Sequence, residues 1–459
     1  MAPDHQSPSL GAAPPLTATP STEFMIPKEI YFSREVAELE KRRLWPHVWQ
    51  VVCRQEELAS VGSFVTYEIL DESVILIRTT DDRLQAFHNA CRHRGRRLLL
   101  GSGQAQQIAC PFHGWRYNID GTIKHVLERG DWAGCSHMSD ADLKLREVRL
   151  DVWQGWVFIN FDQNAPPLAQ YLAPVNERVD PFEFATWRYR WSKSVIVKCN
   201  WKIGLEAFNE FYHVTGTHAQ LQRYQDDISR CELHGDHSMM KYPAELNRLW
   251  GAPAARTGKP VPQDFRRQVV GAVREFESTL RALWSPRAVA ATHRVLTELE
   301  PDTSPEVVLT KMNEYWKEAA LAEGAGWPPI SYEEMDKAGY DWHVFPNFIF
   351  LMGLDAGLFY RIRPNGDDHE SCIFDIWSLV RYVPGGEPDV KHEYYENWRD
   401  ADLGLILSQD FTNMELVHRG MKSAGFEFAR TNPVQETPLV NFHRALRERL
   451  GLSPLGNGS

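Results

Sequence analysis

Cysteine, basic residues and long apolar runs are all in short supply in this sequence of 459 residues. No stretch approaches the roughly 20 apolar residues that span a bilayer, so we expect no membrane segment. The seven cysteines are odd in number and widely scattered, which argues against a disulfide framework and favours a cytoplasmic setting. Acidic residues outnumber basic ones by 61 to 50, and the net charge of -11 disfavours nucleic-acid binding.

The opening segment also lacks features of an ordered or targeting element. Residues 1–24 are rich in Pro, Ser, Thr and Ala, and they contain neither a Lys or Arg nor the apolar core of a secretory signal. We therefore expect a disordered tail at 1–24. Beyond it, the apolar spacing of Glu35–Leu44 predicts a helix, with Ser33 as its cap and Pro46 as its stop.

A small all-β module is predicted at residues 45–162. The dipeptides Asp120-Gly121 and Gln154-Gly155 separate strand-like runs in the manner of two-residue hairpin turns. Short runs and tight turns at this spacing are typical of an antiparallel sheet. The strand-like runs are Phe64–Leu70, Ser73–Arg78, Leu84–Asn89, Tyr117–Ile119, Thr122–His125, Val148–Trp153 and Trp156–Phe161.

A larger module of mixed helices and strands is predicted after Pro166-Pro167, so the chain as a whole is of the α+β class. The sequence shows no internal repeat. Helical patterns occur at Trp201–Thr215, across 265–325 (as in Val269–Trp284), at Leu403–Gly420 and at His443–Leu450. Strand-like runs occur at Ser192–Cys199, Val344–Met352, Phe359–Ile362 and Ile373–Val383.

The β module contains two candidate metal-binding loops. Cys91 and His93 form a CxH pair, and after 16 intervening residues Cys110 and His113 form a CxxH pair. Two thiolates and two imidazoles suit either tetrahedral zinc or an iron–sulfur cluster. In a Rieske centre, one iron takes two Cys and the other takes two His, which raises the reduction potential.

The residues around these loops distinguish the two metals. Cys91-Arg92-His93-Arg94-Gly95 and Cys110-Pro111-Phe112-His113-Gly114-Trp115 resemble the two halves of the Rieske motif of ring-hydroxylating oxygenases. The resemblance implies a [2Fe–2S] cluster on Cys91, His93, Cys110 and His113, with zinc as the alternative. A local basic patch of Arg92, Arg94, Arg96 and Arg97 fits either docking of an acidic electron donor or a solvated loop that tunes the cluster.

The larger module supplies a second constellation. Glu210 and His213 are three residues apart, which would place them on one helical face, and His218 follows five residues later. Because five residues do not return to the same face, we expect the helix to loosen near Gly216. Two His and one carboxylate on one face of an iron leave coordination positions open for oxygen chemistry.

This stretch resembles the mononuclear-iron motif of Rieske oxygenase α subunits. The resemblance implies that His213 and His218 bind Fe(II) and that Glu210 bridges toward a cluster in a neighbouring subunit, where most members have Asp. The segment Ser408–Glu415 resembles the late helix of the family, which implies Asp410 as the third ligand, with Asp402 and Glu415 as alternatives. One turn before Glu210, Glu206 is expected to pair with Lys202.

The resemblance extends from about Phe24 to Leu450. It implies a helix-grip fold for the larger module, an antiparallel sheet around a long helix, with 25–44 and 163–459 together forming the catalytic domain. The strand containing Asn347 and Phe348 is similar to one beside the family's substrate pocket, which makes both residues weak pocket candidates.

The implied activity is that of a terminal oxygenase component, an oxidoreductase that uses O2 as co-substrate. The resemblance implies electrons from NAD(P)H through a reductase or ferredoxin, a head-to-tail homotrimer with or without a small β subunit, and no nucleic-acid or membrane partner. Dioxygenation of an aromatic substrate is favoured, and O- or N-demethylation by monooxygenation is the alternative. A zinc-binding or electron-carrier protein without oxygenase activity is the distant alternative.

Overall fold

The computed structural model describes residues 23–241 and 250–456, so the predicted tail at 1–24 lies outside the described residues except for its last two positions. The hydroxyl of Ser33 accepts the backbone N–H of Val36, which confirms the predicted cap. The helical path ends at His47, one residue after Pro46. The first elements are β1 (Met25–Pro27), α1 (Glu29–Phe32), α2 (Arg34–Leu39), a π-helical turn (Glu40–Leu44) and a 3₁₀ turn (Trp45–His47).

The predicted β module contains a seven-stranded antiparallel sheet in the order β2-β11-β10-β5-β4-β3-β6. Gln154 and Gly155 both have positive φ, 50° and 80°, as a two-residue turn matched to strand twist requires, so the predicted hairpin is confirmed. The strands are β2 (Gln50–Arg54), β3 (Ser63–Ile69), β4 (Glu72–Thr80), β5 (Arg83–His88), β6 (Ser102–Gln104), β10 (Glu147–Trp153) and β11 (Trp156–Asn160).

The first Cys/His loop follows β5 of the seven-stranded sheet, and the second is carried by a separate three-stranded sheet. Its second and third strands pair antiparallel around Asp120-Gly121, and Asn118 donates its N–H to the carbonyl of Thr122 (2.9 Å) across that turn. The strands are β7 (Ile108–Ala109), β8 (Arg116–Tyr117) and β9 (Ile123–His125), and the short helices α3 (Asp140–Leu143), α4 (Leu168–Leu172) and α5 (Val175–Val179) follow along the chain.

The larger module contains an eight-stranded sheet in the order β13-β14-β15-β16-β17-β18-β12-β19. Neighbouring strands are antiparallel except for β12 and β19, which are parallel. The strands are β12 (Arg188–Val197), β13 (Arg230–His234), β14 (His237–Lys241), β15 (Asp341–Val344), β16 (Phe348–Met352), β17 (Ala356–Asn365), β18 (Asp368–Val380) and β19 (His392–Tyr395). A last strand, β20 (Phe428–Arg430), pairs with β1.

The two faces of this sheet have different partners. One face packs against α6, α13 and α14, and the predicted α+β class with its antiparallel sheet around helices is confirmed. The other face packs on the β module, where Trp156 contacts Phe348, Phe359 and Trp377 with ring centroids 5.1–5.2 Å apart. The helices are α6 (Trp201–Glu206), α7 (Val214–Thr217), α8 (Phe265–Thr279), α9 (Pro286–Thr292), α10 (Arg294–Glu298), α11 (Pro305–Glu323), α12 (Tyr332–Ala338), α13 (Gly404–Met421) and α14 (Thr437–Leu450). Among the described helices, none has both the length and the apolar character that crossing a bilayer requires.

Two buried arginines connect the modules through backbone carbonyls. Arg361 on β17 donates to the carbonyls of Val51 (2.8 Å) and Val52 (2.7 Å) on β2 and pairs with Asp375 (2.7 Å). Arg54 on β2 donates to the carbonyls of Phe184 and Trp187 (2.8 and 2.9 Å), among others. Each guanidinium therefore satisfies carbonyls that would otherwise be buried without a donor.

Three predicted elements differ from the structure. The helix predicted at Trp201–Thr215 is wrong as a continuous element, because α6 ends at Glu206 and α7 begins only at Val214. The single strand predicted at Val344–Met352 is a hairpin, since Pro346 lacks the N–H that a sheet ladder needs. The helix predicted at Val269–Trp284 ends five residues early, at Thr279.

Candidate metal centres

The two Cys/His loops have nearly the same backbone geometry. The N–H of Gly95 donates to the carbonyl of Cys91 (2.9 Å), and the N–H of Gly114 donates to the carbonyl of Cys110 (3.0 Å). Both glycines have positive φ, 77° and 72°, which a residue with a side chain adopts only under strain. The glycine after each half of the motif therefore closes a tight turn. The two loops, one after β5 and one between β7 and β8, meet at one tip of the β module, where His93 and His113 lie side by side.

The histidine atoms at this tip suit an iron–sulfur cluster. The rings of His93 and His113 lie 4.6 Å apart between centroids, and the Nδ1 atom of each is buried without a hydrogen-bond partner among the described residues. Buried ring nitrogens are rarely left unpartnered unless a metal or ligand takes them. The ring of Trp115 stacks on His93 at 4.9 Å and fixes its plane. The donor set, two sulfurs and two free imidazole nitrogens, fits a [2Fe–2S] group of the Rieske type.

The sulfurs are surrounded by polar hydrogens. The hydroxyl of Tyr117 lies 3.4 Å from Sγ of Cys91 and accepts the backbone N–H of Arg92 (2.9 Å). Burial opposes ionisation of Cys110, but the backbone N–H groups of Phe112 and His113 outweigh it and lower the pKa of the thiol. Hydrogen bonds to cluster sulfurs raise the reduction potential of such centres.

The surface around this tip is basic and partly apolar. Arg94, Arg96 and Arg97 are exposed, whereas Arg92 is half-buried and donates to the carbonyl of Asp142. Phe112, between the two ligand residues of its loop, is 56% exposed and lies under the guanidinium of Arg94. Cys135 is exposed as well.

Three side chains converge in the interior of the larger module. Ligand atoms of His213, His218 and Asp410 all lie within 4.8 Å of one another, although Asp410 is about 190 residues distant in sequence. Asp410 Oδ1 is 2.8 Å from Nε2 of His218 and 3.7 Å from Nε2 of His213. Two imidazoles and one carboxylate on the same side of a site fit a non-heme iron that retains open positions.

Glu210 explains why the predicted helix breaks before the first histidine. Its carboxylate accepts the backbone N–H of His213 (3.0 Å) and contacts Nδ1 of the same residue (2.7 Å). In a continuous helix the N–H of His213 would donate to a backbone carbonyl of the preceding turn. Here the Glu210 carboxylate accepts it instead, so a new turn begins at His213. Glu210 thus orients the imidazole so that Nε2 faces Asp410.

The second histidine is oriented in the same way by an amide. Oε1 of Gln409 lies 2.9 Å from Nδ1 of His218 and also accepts from Nε2 of Gln220 (2.8 Å). Because the amide oxygen accepts only, Nδ1 of His218 carries the proton and Nε2 presents its lone pair to the site. Gln409 directly precedes Asp410, and the sequence analysis did not identify it.

The charges of the site favour a cation. Burial alone would lower the pKa of His213, but the carboxylates of Glu210 and Asp410 outweigh it and raise that pKa to about 9. Nearby, burial and the carboxylates of Glu210 and Glu206 raise the pKa of Glu436 to about 7. No local pattern in the sequence indicates Glu436, because it reaches the site from the segment before α14.

The alternatives for the third ligand lie elsewhere. Asp402 pairs with Arg281 at the surface (2.7 Å), and Glu415 is paired with Arg399 (2.8 Å). The predicted pair of Glu206 with Lys202 is wrong. Glu206 instead accepts from the hydroxyl of Tyr31 (2.9 Å) and contacts His443 (2.7 Å), while Lys202 pairs with the buried Glu40 (2.6 Å).

The two weak pocket candidates have contacts of a structural kind. The amide of Asn347 donates to the carbonyl of Ile362 (2.8 Å). Phe348 packs in the aromatic cluster between the modules, against Trp156 and Phe350. A role for Asn347 or Phe348 beside the substrate stays a prediction.

Comparison with known families covers most of the chain. Residues 184–452 match the family model described as "Ring hydroxylating alpha subunit (catalytic domain)", and residues 48–132 match "Rieske [2Fe-2S] domain". Similar solved structures include a quaternary ammonium Rieske monooxygenase with L-carnitine (TM-score 0.61, 18% identity, 93% of this chain and 95% of that one). A naphthalene 1,2-dioxygenase variant bound to phenanthrene is similar to the same degree (TM-score 0.62, 20% identity, 94% and 93%).

The curated relatives have two kinds of name. The glycine betaine monooxygenase oxygenase subunit of Pseudomonas aeruginosa is 26% identical over 48% of this chain and 54% of its own length. The carnitine monooxygenase oxygenase subunit of Escherichia coli is 32% identical over 45% and 57%. Against these relatives the chain spans about half of their length, whereas benzene 1,2-dioxygenase subunit alpha of Pseudomonas putida is 27% identical over 90% and 84%. With the catalytic-domain match extending over more than half of its residues, this chain belongs to the ring-hydroxylating α-subunit family, whose members combine a Rieske domain with a mononuclear-iron domain.

Proposed function

We propose that this chain is the terminal oxygenase component of a multicomponent enzyme, which accepts electrons from a reductase and uses dioxygen to hydroxylate a small organic substrate. One observation carries the proposal. A single chain holds both a tip with two Cys and two unpartnered His Nδ1 atoms and a buried cluster of two His and one Asp. An electron carrier would need only the first of these, and a structural zinc module would need neither the second nor its orienting residues.

We assign Cys91, His93, Cys110 and His113 as the ligands of a [2Fe–2S] cluster and His213, His218 and Asp410 as the ligands of Fe(II). When bound, an iron with two His and one carboxylate supplies open positions at which dioxygen can be reduced. The chain's own residues prepare that site: Glu210 and Gln409 hold the Nδ1 protons, so that both imidazoles direct Nε2 inward.

Aromatic rings pack in the interior beside the triad. The rings of Phe208, Tyr360, Phe374 and Phe411 pack on one another with centroids 4.7–5.5 Å apart for neighbouring pairs. An apolar wall of this kind keeps solvent protons away from reactive oxygen species during turnover. The same wall would accept the hydrocarbon part of a substrate.

We also propose the boundaries and partners that the resemblance implies. Residues 45–162 form the cluster domain, and 25–44 with 163–459 form the catalytic domain. The electron donor is an NAD(P)H-dependent reductase or a ferredoxin, and the exposed arginines at the tip suit an acidic partner. The assembly is a head-to-tail homotrimer, with or without a small β subunit, in which Glu210 of one subunit faces the cluster histidine His113 of the next.

Two reaction types are supported by specific similarities. Dioxygenation of an aromatic ring is supported by the similarity to benzene 1,2-dioxygenase subunit alpha across 90% of the chain. Monooxygenation next to a quaternary nitrogen, with loss of an aldehyde, is supported by the glycine betaine and carnitine monooxygenase relatives. The product separates the two, because ring dioxygenation gives a cis-diol and N-demethylation gives formaldehyde.

The proposal is tested by metal analysis and EPR of protein purified without oxygen. We expect about three irons per chain, two in the cluster and one in the triad, and a Rieske-type signal on reduction. The Glu210→Ala variant should keep the cluster absorption and lose product formation. Colourless protein with stoichiometric zinc, or a Glu210→Ala variant with wild-type rates, would contradict the proposal.

A further inference from the structure

A buried carboxyl group without an internal partner lies at the start of β15. Asp341 is 2% exposed, and its Oδ1 has no hydrogen-bond partner among the described residues. The other buried carboxylates that the structure describes are hydrogen-bonded or ion-paired, as Asp375 is with Arg361 and Asp355 is with Ser285. Burying a polar group without a partner costs a folding chain free energy, so this carboxyl group is a candidate contact for a ligand.

Strand alternation places Asp341 on the helix side of the sheet. The next residue, Trp342, belongs to the aromatic cluster on the opposite face, together with Met239 of the neighbouring strand. Asp341 pairs across the ladder with Met240 and Leu351, so these three residues share the inner face. This is the face that α6, α13 and α14 cover.

Asp341 and the residues of the metal site influence the same interior groups. Burial raises the pKa of Tyr360 well above its ordinary value, and the carboxylates of Asp410 and Asp341 raise it further. Burial likewise raises the pKa of Cys231 to about 11, with contributions from Glu210 and Asp341. Asp341 therefore acts on the same interior groups as the third iron ligand and the orienting Glu210.

A second unpartnered polar atom faces the same region. Asn209, directly before Glu210, is 1% exposed, and its Nδ2 has no hydrogen-bond partner among the described residues. Its Oδ1 accepts the hydroxyl of Ser238, which lies two residues before Met240 and so on the same inner face of β14. An unpartnered acceptor and an unpartnered donor thus lie on the inner face of the sheet, the donor on the residue directly before Glu210.

The chemistry of these groups selects the occupant. A neutral aromatic substrate would leave Asp341 buried and unpaired, whereas an organic cation would neutralise it. A quaternary ammonium group has no N–H to direct, so it needs only a negative charge and an aromatic or apolar wall. Tyr360 and Phe208, with ring centroids 4.7 Å apart, supply such a wall on the inner face.

Resting on the proposed oxygenase function, we propose that Asp341 binds the cationic group of the substrate, and that the substrate is a small organic cation. Asp341 is then a specificity-determining residue, placed opposite the ligands so that the carbon next to the charged nitrogen reaches the iron site. The reaction this favours is monooxygenation, in which one oxygen atom of O2 enters a C–H bond and the other leaves as water. The reductase supplies the two electrons, and solvent supplies the two protons that the water requires.

The test compares choline with its neutral isostere 3,3-dimethylbutan-1-ol, in which a carbon replaces the nitrogen. Anaerobic calorimetric titration of the iron-loaded trimer gives both dissociation constants. We expect the wild-type protein to bind choline about 30-fold or more tightly than the alcohol, and Asp341→Asn to lose most of that preference. A wild-type protein that binds both probes equally, or an unchanged ratio in the variant, overturns the inference.

A matched control uses another buried carboxyl. Asp355→Asn removes a charge that is paired with Ser285 and Arg287, and it should leave the choline preference unchanged. If Asp341→Asn fails to fold, the wild-type comparison of the two probes still decides the question. Protein that lacks the cluster signal or the third iron contradicts the proposed function, whereas protein that holds both but shows no preference contradicts this inference alone.

Discussion

At the scale of single residues, the two histidines of the triad are oriented by the same kind of hydrogen bond. Each has its Nδ1 proton held by a side-chain oxygen, of Glu210 for His213 and of Gln409 for His218. Oxygen partners behind metal-binding imidazoles fix the tautomer and the ring plane, and they raise the basicity of the other nitrogen. Both partners come from residues next to, or within one turn of, a ligand.

Replacing Gln409 with Leu should weaken iron binding without touching the cluster. The variant leaves Nδ1 of His218 without an acceptor, and the loss of such a partner typically lowers metal affinity by about 10–100-fold. Chelator competition with Fe(II) measures the affinity. Gln220→Leu is the control, because Gln220 contacts the same amide oxygen but not the histidine. Equal losses of Fe(II) affinity in the two variants would show that the hydrogen bond between the two amides, and not the one to the His218 imidazole, supports iron binding.

The charge on Glu210 should set the pH dependence of iron binding. A pKa of about 9 means that His213 is protonated at neutral pH before metal binds, so the ion must displace one proton. The wild-type affinity should then rise about tenfold per pH unit from pH 7 to 9. In Glu210→Gln the raised pKa falls toward 6.5, and the affinity should level off near pH 7. The same slope in both proteins would contradict this assignment.

The sequence indicated the ligands better than the residues that orient them. His213 and His218 stand in a recognisable local spacing, and the late helix pointed to Asp410. Gln409 could not be found in this way, because an amide becomes an orienting group only when tertiary packing brings it to a ligand. Glu206 was misassigned for the same reason, since its partners Tyr31 and His443 are distant in sequence.

At the scale of elements, seven of the ten strands described in the β module were predicted to within two residues at each end, because the alternation of apolar and polar residues and the Gly turns are local signals. The strands β2, β6 and β7 were not predicted, because β2 is buried throughout and the other two have only two or three residues. The helix at Trp201–Thr215 was not predicted correctly, since its break depends on the Glu210 carboxylate taking the N–H of His213. The hairpin around Pro346 was also missed, because the apolar residues on both sides of the turn continue the same pattern.

The ion pairs that connect β17 and β18 should make the modules sensitive to acid. Arg361 and Arg363 hold the pKa of Asp375 well below its usual range, although burial alone would raise it. A lowered folded-state pKa contributes stability above the unfolded value of about 3.9, and this stability is lost as the pH falls through the folded value. The wild-type protein should therefore lose stability steadily below pH 4.

Asp375→Asn should cost about 3–5 kcal/mol of unfolding free energy at pH 7, because two buried guanidinium groups lose their counter-charge. It should also flatten the dependence on pH below 4. Urea unfolding between pH 3 and 7 measures both effects. Asp402→Asn removes an exposed pair with Arg281 and should cost less than about 1 kcal/mol. Similar costs for the two variants would contradict the role of Asp375 in joining the strands.

The loops at the cluster tip should dock an acidic electron donor. Replacing Arg94 and Arg96 with Gln should raise the KM for the donor several-fold and weaken its dependence on salt, while the cluster EPR signal is unchanged. Steady-state reduction rates at 50 and 300 mM salt provide the measurement. Replacing the exposed Arg267 on α8 with Gln is the control for a general loss of positive charge. If salt lowers the reduction rate of the variant and of the wild type equally, the arginines do not bind the donor and instead form a solvated loop that tunes the cluster.

At the scale of the whole molecule, the two proposed centres belong to different modules. The cluster ligands lie on two loops of the β module, one after β5 and one between β7 and β8, whereas the triad lies between the eight-stranded sheet and its covering helices. The inter-module arginines Arg54 and Arg361 hold the two modules in one arrangement. Electrons that enter at the tip would therefore reach an iron site without a swing of the cluster domain, and the proposed head-to-tail trimer supplies a route through a neighbouring subunit.

Mixed assemblies test this route. Cys91→Ser should remove the cluster and leave the triad, while His213→Ala should remove the iron and leave the cluster, so each variant alone should be inactive. In a head-to-tail ring, a subunit with iron works when the neighbour on its donor side carries a cluster. In a random equal mixture, about half of the subunits hold iron, and about half of their donor-side neighbours hold a cluster. Mixing should then restore about a quarter of the wild-type activity. If electrons passed only within one chain, mixing would restore no activity. As a control, the two variants are refolded separately and then combined, which shows whether subunits must exchange for activity to return.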